Sequence, residues 1–329
     1  MSHSPFLYIG PEEWGVARKA RTRPGAFADD LPIDSDEINV QKHRRCMAAL
    51  AQLKSRLVAA RPDMLLIFGD DQGEQFRFSN FPALGVFVGD EFAGFKISEF
   101  YGVPLPNAER KRRERSPEHW VTIKGVPEVA KPMAVALVKR GFDMAFCTEL
   151  AHKQEGIGHA FARPSYHLDP DYRLPVLPIF INCFYGPQPT GRRCCELGIA
   201  VREIVTALPV NLRVAVIGSG GLWHTPVAPN ANINAAFDKA ILAAVESGDA
   251  AAMAAAFDSY PTGFDLSDPQ QLQLASGGTG MVLGVGSGSG ETRNWIAAAA
   301  VAGRPGHVVD YVAINASPIG VAFAYWDMN

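Results

Sequence analysis

The chain has little net charge, few cysteines and no long apolar run, and each shortage removes a class of function. A formal charge of −3 over 329 residues leaves no electrostatic footprint for nucleic acid or for an anionic membrane surface. The one basic run, Arg110-Lys-Arg-Arg-Glu-Arg115, is short and sits among Pro104, Pro106 and Pro117. It reads as a solvated loop, with anion binding as the alternative. The five cysteines (Cys46, Cys147, Cys183, Cys194, Cys195) have no C-x-x-C spacing and are odd in number, so a secreted disulfide framework is disfavoured and a reducing cytoplasm fits. No apolar run reaches the roughly 18 residues of a membrane span, and no signal-peptide pattern is visible. There is no internal repeat and no clean linker, so one domain over residues 1–329 is expected. The glycine-rich stretch 277–290 lacks the lysine of a phosphate-binding loop.

What remains is the composition of an ordinary globular protein, 47% hydrophobic and 20% charged, long enough to bury a large core. Residues 1–34 are proline-punctuated, with little periodicity. A helix is expected from about Ser35 to Ala60, with Ser35 as N-cap and Cys46, Leu50, Leu53 and Leu57 as its buried stripe. Met64–Phe68 reads as a buried strand closed by Gly69-Asp-Asp-Gln72. Residues 90–127 look like a long loop or lid. Helices are expected at Pro127–Arg140, Arg192–Leu208, Ala231–Ser247 and Ala250–Phe257, and strands at Phe142–Cys147 and Leu174–Asn182. Strands and helices alternate, which predicts a layered α/β architecture, a sheet flanked by helices.

The most informative segment is Val214-Ala-Val-Ile-Gly-Ser-Gly-Gly-Leu-Trp-His224: a β-branched strand, a turn of small residues, then a histidine just past the strand end. In an open α/β sheet that is where ligands bind. His224 would face the crevice with an imidazole that moves protons near neutral pH, or would simply cap a turn. Four other places could carry chemistry: His3 in Ser-His-Ser-Pro; the acidic turn Asp70-Asp-Gln-Gly-Glu74, which could hold a metal or cap a helix; His159 in Gly-Ile-Gly-His; and Glu291, opening an alanine-rich helix after Ser-Gly-Ser-Gly.

Taken in chain order, these pieces resemble the catalytic subunits of class III extradiol ring-cleavage dioxygenases, the protocatechuate 4,5-dioxygenase β type. The resemblance spans nearly the whole chain. It implies a mixed-sheet α/β fold and an Fe(II) site that opens a catechol-type aromatic ring with O2. His3 matches the N-terminal iron ligand, Glu291 the carboxylate ligand, His224 the catalytic acid/base and His159 a histidine of the substrate pocket. Gln72 falls where the family has its second histidine ligand. A glutamine carbonyl is a harder donor than imidazole, so iron affinity should fall unless His43, Asp71 or Glu74 substitutes. The family also has a strand before its first histidine; here only Met1 and Ser2 precede His3, which would leave that ligand poorly held. A homodimer or a small helical α-subunit is the partner implied, with residues 90–127 as a substitute lid. Arg110, Arg112, Arg163 and Arg293 are candidates for a substrate carboxylate. Two further readings stay open: a metal-assisted hydrolase or lyase using His159 and His224, and a non-catalytic paralogue with a degenerate metal site.

Overall fold

The computed structural model describes residues 1–22, 24–95, 119–151, 153, 156–209, 211–224, 230–260, 265–276, 281 and 289–327. The strands are β1 (Met64–Gly69), β2 (Leu84–Phe87), β3 (Glu91–Phe95), β4 (Trp120–Lys124), β5 (Met144–Cys147), β6 (Val176–Ile181), β7 (Val214–Gly218), β8 (His307–Ile314) and β9 (Ile319–Tyr325). The helices are α1 (Pro11–Arg21), α2 (Asp36–Ala60), α3 (Pro127–Lys139), α4 (His159–Leu168), α5 (Gly191–Thr206), α6 (Ala235–Ser247), α7 (Ala250–Ser259), α8 (Pro269–Ala275) and α9 (Thr292–Ala302).

A mixed five-stranded sheet in the order β5-β2-β6-β1-β7 forms the centre. β1 pairs in parallel with β6 on one side and β7 on the other. β2 runs antiparallel to β6 and parallel to β5. The central strands are buried on both faces, which is why β1 and β6 read as unbroken apolar runs. Along β1, Met64, Leu66 and Phe68 face one core with α3, α5, α6, α7 and α9, while Leu65 and Ile67 face another with α1, α2, α4 and the β8–β9 hairpin. This is the layered α/β arrangement the alternation predicts.

The α2 expectation matches the structure except at Leu57, which is only half-buried: Ser35 accepts the Ile38 N–H, Cys46, Leu50 and Leu53 are buried, and Arg61 closes the helix in a left-handed conformation. The ends of α3, α5 and α7 match their predicted ranges to within two residues, whereas α6 begins later, at Ala235, capped by Asn234. Three differences stand out. Residues 1–34 contain a helix, α1, whose buried side is only Trp14 and Ala17, too sparse a stripe to show as periodicity. The stretch read as a lid begins and ends in paired strands, β3 with β4, and its residues 96–118 lie outside the described residues. The β8–β9 hairpin was not anticipated, because Ile319–Tyr325 is buried along nearly its whole length and lacks the alternation of a half-exposed strand.

The carboxyl ends of β1 and β7 position the site, and the N-terminus is laid between them and β9. The Met1 ammonium donates to the Gly218 carbonyl at 2.6 Å, and the Gly220 N–H donates to the Met1 carbonyl at 3.0 Å, as residues of paired parallel strands do. Ser2 donates its N–H to Ala322 of β9, and Leu222 to Gly320. A cavity of about 570 Å³ runs back from Met1 along β7, lined by Leu53, Val214, Val216, Ala298 and Tyr325; none of His3, His159, His224 or Glu291 lines it.

Candidate metal centre

Four segments bring their functional side chains to one buried point. His3 arrives on the N-terminal segment. His224 arrives at the end of the turn after β7, where it bridges to Ile319 of β9. His159 opens α4, and Glu291 is the N-cap of α9. The small residues of the turn are needed for close approach to α9 rather than to a ligand: a Cβ on Gly220 would lie 2.6 Å from the Glu291 Cβ. Gly158 serves similarly at the start of α4, at φ +98° and against the Glu74 carboxylate.

The histidines are oriented from behind. Ser219 Oγ donates to the Ala160 carbonyl at 2.6 Å, so it can only accept from His3 Nδ1, 2.8 Å away. His224 Nδ1 lies 2.9 Å from the Leu222 carbonyl. His159 Nδ1 lies 2.8 Å from Glu74 Oε1, which also accepts the His159 backbone N–H. Each imidazole therefore donates through Nδ1 and turns Nε2 inward. His3 Nε2 and His224 Nε2 are each 3.5 Å from Glu291 Oε1. Ligating atoms of His3, His159 and Glu291 all lie within 4.8 Å of one another. The other Glu291 oxygen accepts the Gly221 N–H at 2.5 Å.

Gln72 and Asp70 complete the wall. Gln72 Nε2 lies 3.2 Å from Asp70 Oδ2, 3.4 Å from Glu291 Oε1 and 3.4 Å from His159 Nε2. Asp70 is fully buried and its Oδ1 has no hydrogen-bond partner among the described residues.

Burial and these partners set the charges. Burial lowers His3 to about 4 against the pull of Glu291, so its Nε2 presents a lone pair to a carboxylate. For His224 burial also works against charge, but Glu291 outweighs it and lifts the imidazole to about 9. Burial raises Glu291, but His224 and His3 override it and hold the carboxyl well below its usual range. Burial and the Glu291 charge push Asp70 up to about 8. Glu74, despite burial, is drawn down to about 2 by His159.

These shifts fix how the metal-free protein responds to pH. His224 holds its proton to about 9 when folded and to 6.5 when unfolded, so its contribution is complete below about 6.5 and lost as pH rises through 9. Asp70 keeps a proton to about 8 that the unfolded chain releases near 3.8, which also lowers stability as pH rises over that range. The melting temperature in chelator is expected to fall between pH 6.5 and 9; a flat or rising trend would contradict this assignment of charge.

The donor set fits a divalent cation. Nitrogens tied at Nδ1 to an acceptor, with Nε2 free, are the usual state of metal-binding histidines. A His3 lone pair facing a carboxylate and a buried unpartnered Asp70 oxygen are both satisfied by a positive charge between them. Two imidazoles and a carboxylate with open positions suit iron of the non-haem oxygenase type.

A family model described as the catalytic LigB subunit of aromatic ring-opening dioxygenase matches residues 32–313. The chain belongs to this family. The LigB match begins after His3, so that residue's place at the cluster comes from the structure. A 2,3-dihydroxyphenylpropionate/2,3-dihydroxicinnamic acid 1,2-dioxygenase of Escherichia coli (strain 55989 / EAEC) is 29% identical over 206 residues, 62% of this chain and 54% of its own length. The protein of the same description from Klebsiella pneumoniae (strain 342) is 28% identical over 204 residues, with the same coverage. The chain thus matches about half the length of these curated relatives. Among solved structures, an uncharacterised protein of Escherichia coli K12 is similar at 12% identity and a TM-score of 0.43, covering 84% of this chain and 91% of that one.

Within this LigB chain the structure brings His3, Gln72, His159, His224 and Glu291 together. The substitute ligands do not join as expected. His43 lies on α2, edge-on to Trp14 at 5.9 Å, and takes no part. Asp71 is spent on the backbone N–H groups of Glu74, Gln75 and Phe76. Glu74 stands behind His159 rather than at the cluster. His3 is not poorly held: besides Ser219, Arg163 donates to its carbonyl at 3.2 Å. Sequence reasoning missed Ser219, because a small polar residue at a strand end looks like any turn.

Arg293 is excluded as a substrate-carboxylate ligand. It is buried, with its N–H groups on the carbonyls of Pro189, Cys183 and Gly290 and on Gln188 Oε1. Arg293→Ala is expected to destabilise the fold by about 3 kcal/mol by stranding those carbonyls. Denaturant unfolding would measure it, and a loss under about 1 kcal/mol would show the network to be unimportant. Arg110 and Arg112 lie outside the described residues.

Proposed function

We propose that this chain is an Fe(II)-dependent ring-cleavage dioxygenase acting on a catechol-type aromatic. The observation that carries the reading is the convergence of inward-facing imidazole nitrogens on the buried Glu291 carboxylate at the carboxyl ends of β1 and β7. Family membership and the names of the relatives support the same substrate class.

His3 and Glu291 would hold the iron. Bound iron would acidify one catechol hydroxyl and bring the ring together with dioxygen. His224 takes the proton of the other hydroxyl on Nε2, its Nδ1–H being fixed on the Leu222 carbonyl, and returns it as the O–O bond breaks. Both oxygen atoms of O2 end in the product and one ring C–C bond is cleaved, so no external reductant is consumed. Phe184, its ring centroid 6.1 Å from that of His224, offers an aromatic wall beside the base. Its position follows from Asn182, which accepts the Phe184 and Tyr185 N–H groups in the turn after β6.

The test is anaerobic loading with Fe(II), addition of 2,3-dihydroxyphenylpropionate or another catechol, and parallel measurement of oxygen uptake and catechol loss. Equal consumption of the two is expected. Catechol loss without oxygen uptake would move the reading to a hydrolase or lyase, and iron without turnover of any catechol would move it to a non-catalytic relative.

A further inference from the structure

The metal centre described above needs a third protein ligand, and the position matching the family's second histidine holds glutamine. We infer that His159, backed by Glu74, is that ligand, and that Gln72 is a hydrogen-bond donor at the site rather than a ligand. The inference rests on the metal-centre reading and deepens it.

Three observations point the same way. First, Gln72 faces the cluster with its amide nitrogen, within 3.2–3.4 Å of Asp70 Oδ2 and Glu291 Oε1. The two ends of an amide are chosen by their hydrogen bonds, and turning this one over would set its oxygen against the ionised Glu291 carboxylate. Neighbouring acceptors therefore keep the lone pairs of Gln72 away from the cation. Second, His159 has what a ligand requires: Nδ1 is 2.8 Å from Glu74, and Nε2 is the nitrogen turned toward Gln72. A carboxylate behind an imidazole fixes its tautomer and strengthens it as a donor. Third, His159 is placed as a partner of His3, their rings edge-to-face at 4.8 Å, and with Glu291 the two offer ligating atoms within 4.8 Å of one another. Asp70, Asp71 and Glu74 do not supply a better third member: Asp70 accepts from Gln72, Asp71 caps the turn, and Glu74 is committed to His159.

The consequence is a rearranged centre, in which the histidine that matches a substrate-pocket residue of the family has become a ligand and left His224 as the sole acid/base. The experiment is Co(II) and Fe(II) binding by equilibrium dialysis, with a count of bound imidazoles by X-ray absorption on the Co(II) protein, for wild type, His159→Ala, His159→Gln, Glu74→Gln and Gln72→Ala. Thermal melts report whether each variant is folded; His159→Gln covers the case in which His159→Ala is not. Wild type should show two imidazoles. Both His159 variants should lose one imidazole and at least about 100-fold in affinity, Glu74→Gln about 10- to 100-fold, and Gln72→Ala less than about threefold. Loss of metal in Gln72→Ala with retention in the His159 variants overturns the assignment, and so do unchanged affinities throughout. A wild type that binds no metal overturns both this and the proposed function. The stated ranking without oxygen uptake upholds the ligand assignment and overturns ring cleavage alone.

Discussion

His224→Gln is expected to lower the rate of the proposed ring opening by about 10²- to 10⁴-fold while iron content stays at the wild-type level. The amide of glutamine can still donate to the Leu222 carbonyl, as His224 Nδ1 does, so the turn after β7 keeps its anchor. What it cannot do is take up a proton and return it. His224 suits that work because its environment pulls in two directions. Burial disfavours the imidazolium, while Glu291 favours it, and in the metal-free protein Glu291 prevails and lifts His224 to about 9. Once a cation neutralises Glu291, that support weakens and the imidazole becomes an acceptor at neutral pH. The variant should therefore lose kcat far more than KM, since in the proposed reaction the substrate would be held by the metal and the pocket. Steady-state oxygen uptake with metal analysis of the same samples checks this. A His224→Gln enzyme within about tenfold of wild type would remove the residue from the chemistry.

The legible part of this protein was whatever repeats or ends abruptly. The buried stripe of α2, the apolar runs of β1 and β7 and the glycine turn before His224 were all visible, because burial on a fixed face imposes a period and a close approach imposes small residues. The strand-end rule then puts His224 and Gln72 at the carboxyl end of the sheet. Two things were not legible. The first was which neighbour each polar group would choose. Asp70 and Asp71 are adjacent and chemically identical, yet one is a buried wall of the candidate metal centre and the other caps three backbone N–H groups. That difference depends on which way the chain turns after Gly69. The second was the hold on His3. Counting residues before it suggested a loose terminus, but Ser219 and Arg163 grip His3, and β9 its neighbour Ser2, through contacts more than 150 residues away in sequence. Long-range pairing of that kind leaves no local pattern.

Glu291→Gln carries the other large expectation: loss of metal affinity beyond about 100-fold, more than an outer-sphere change produces, with the fold intact. Glutamine has the same shape and its side-chain oxygen can accept the Gly221 N–H that Glu291 Oε2 accepts now. The link between α9 and the glycine turn therefore survives, and only the charge goes. Without that charge His3 and His224 face a neutral amide in place of the carboxylate 3.5 Å from both. The same substitution should also change the metal-free protein. His224 owes its raised proton affinity to Glu291, and Glu291 helps hold the proton on Asp70. Removing the carboxylate removes the support for His224 and leaves Asp70 raised by its burial, so the decline in melting temperature between pH 6.5 and 9 should become clearly shallower in Glu291→Gln. The two readouts are independent, one of bound metal and one of stability without it. If Glu291→Gln binds iron like wild type, the carboxylate is not a ligand. If it loses iron but keeps the full pH slope, the charge coupling between Glu291 and His224 is wrong and the buried cluster must be poised by another group, with Asp70 the first to examine.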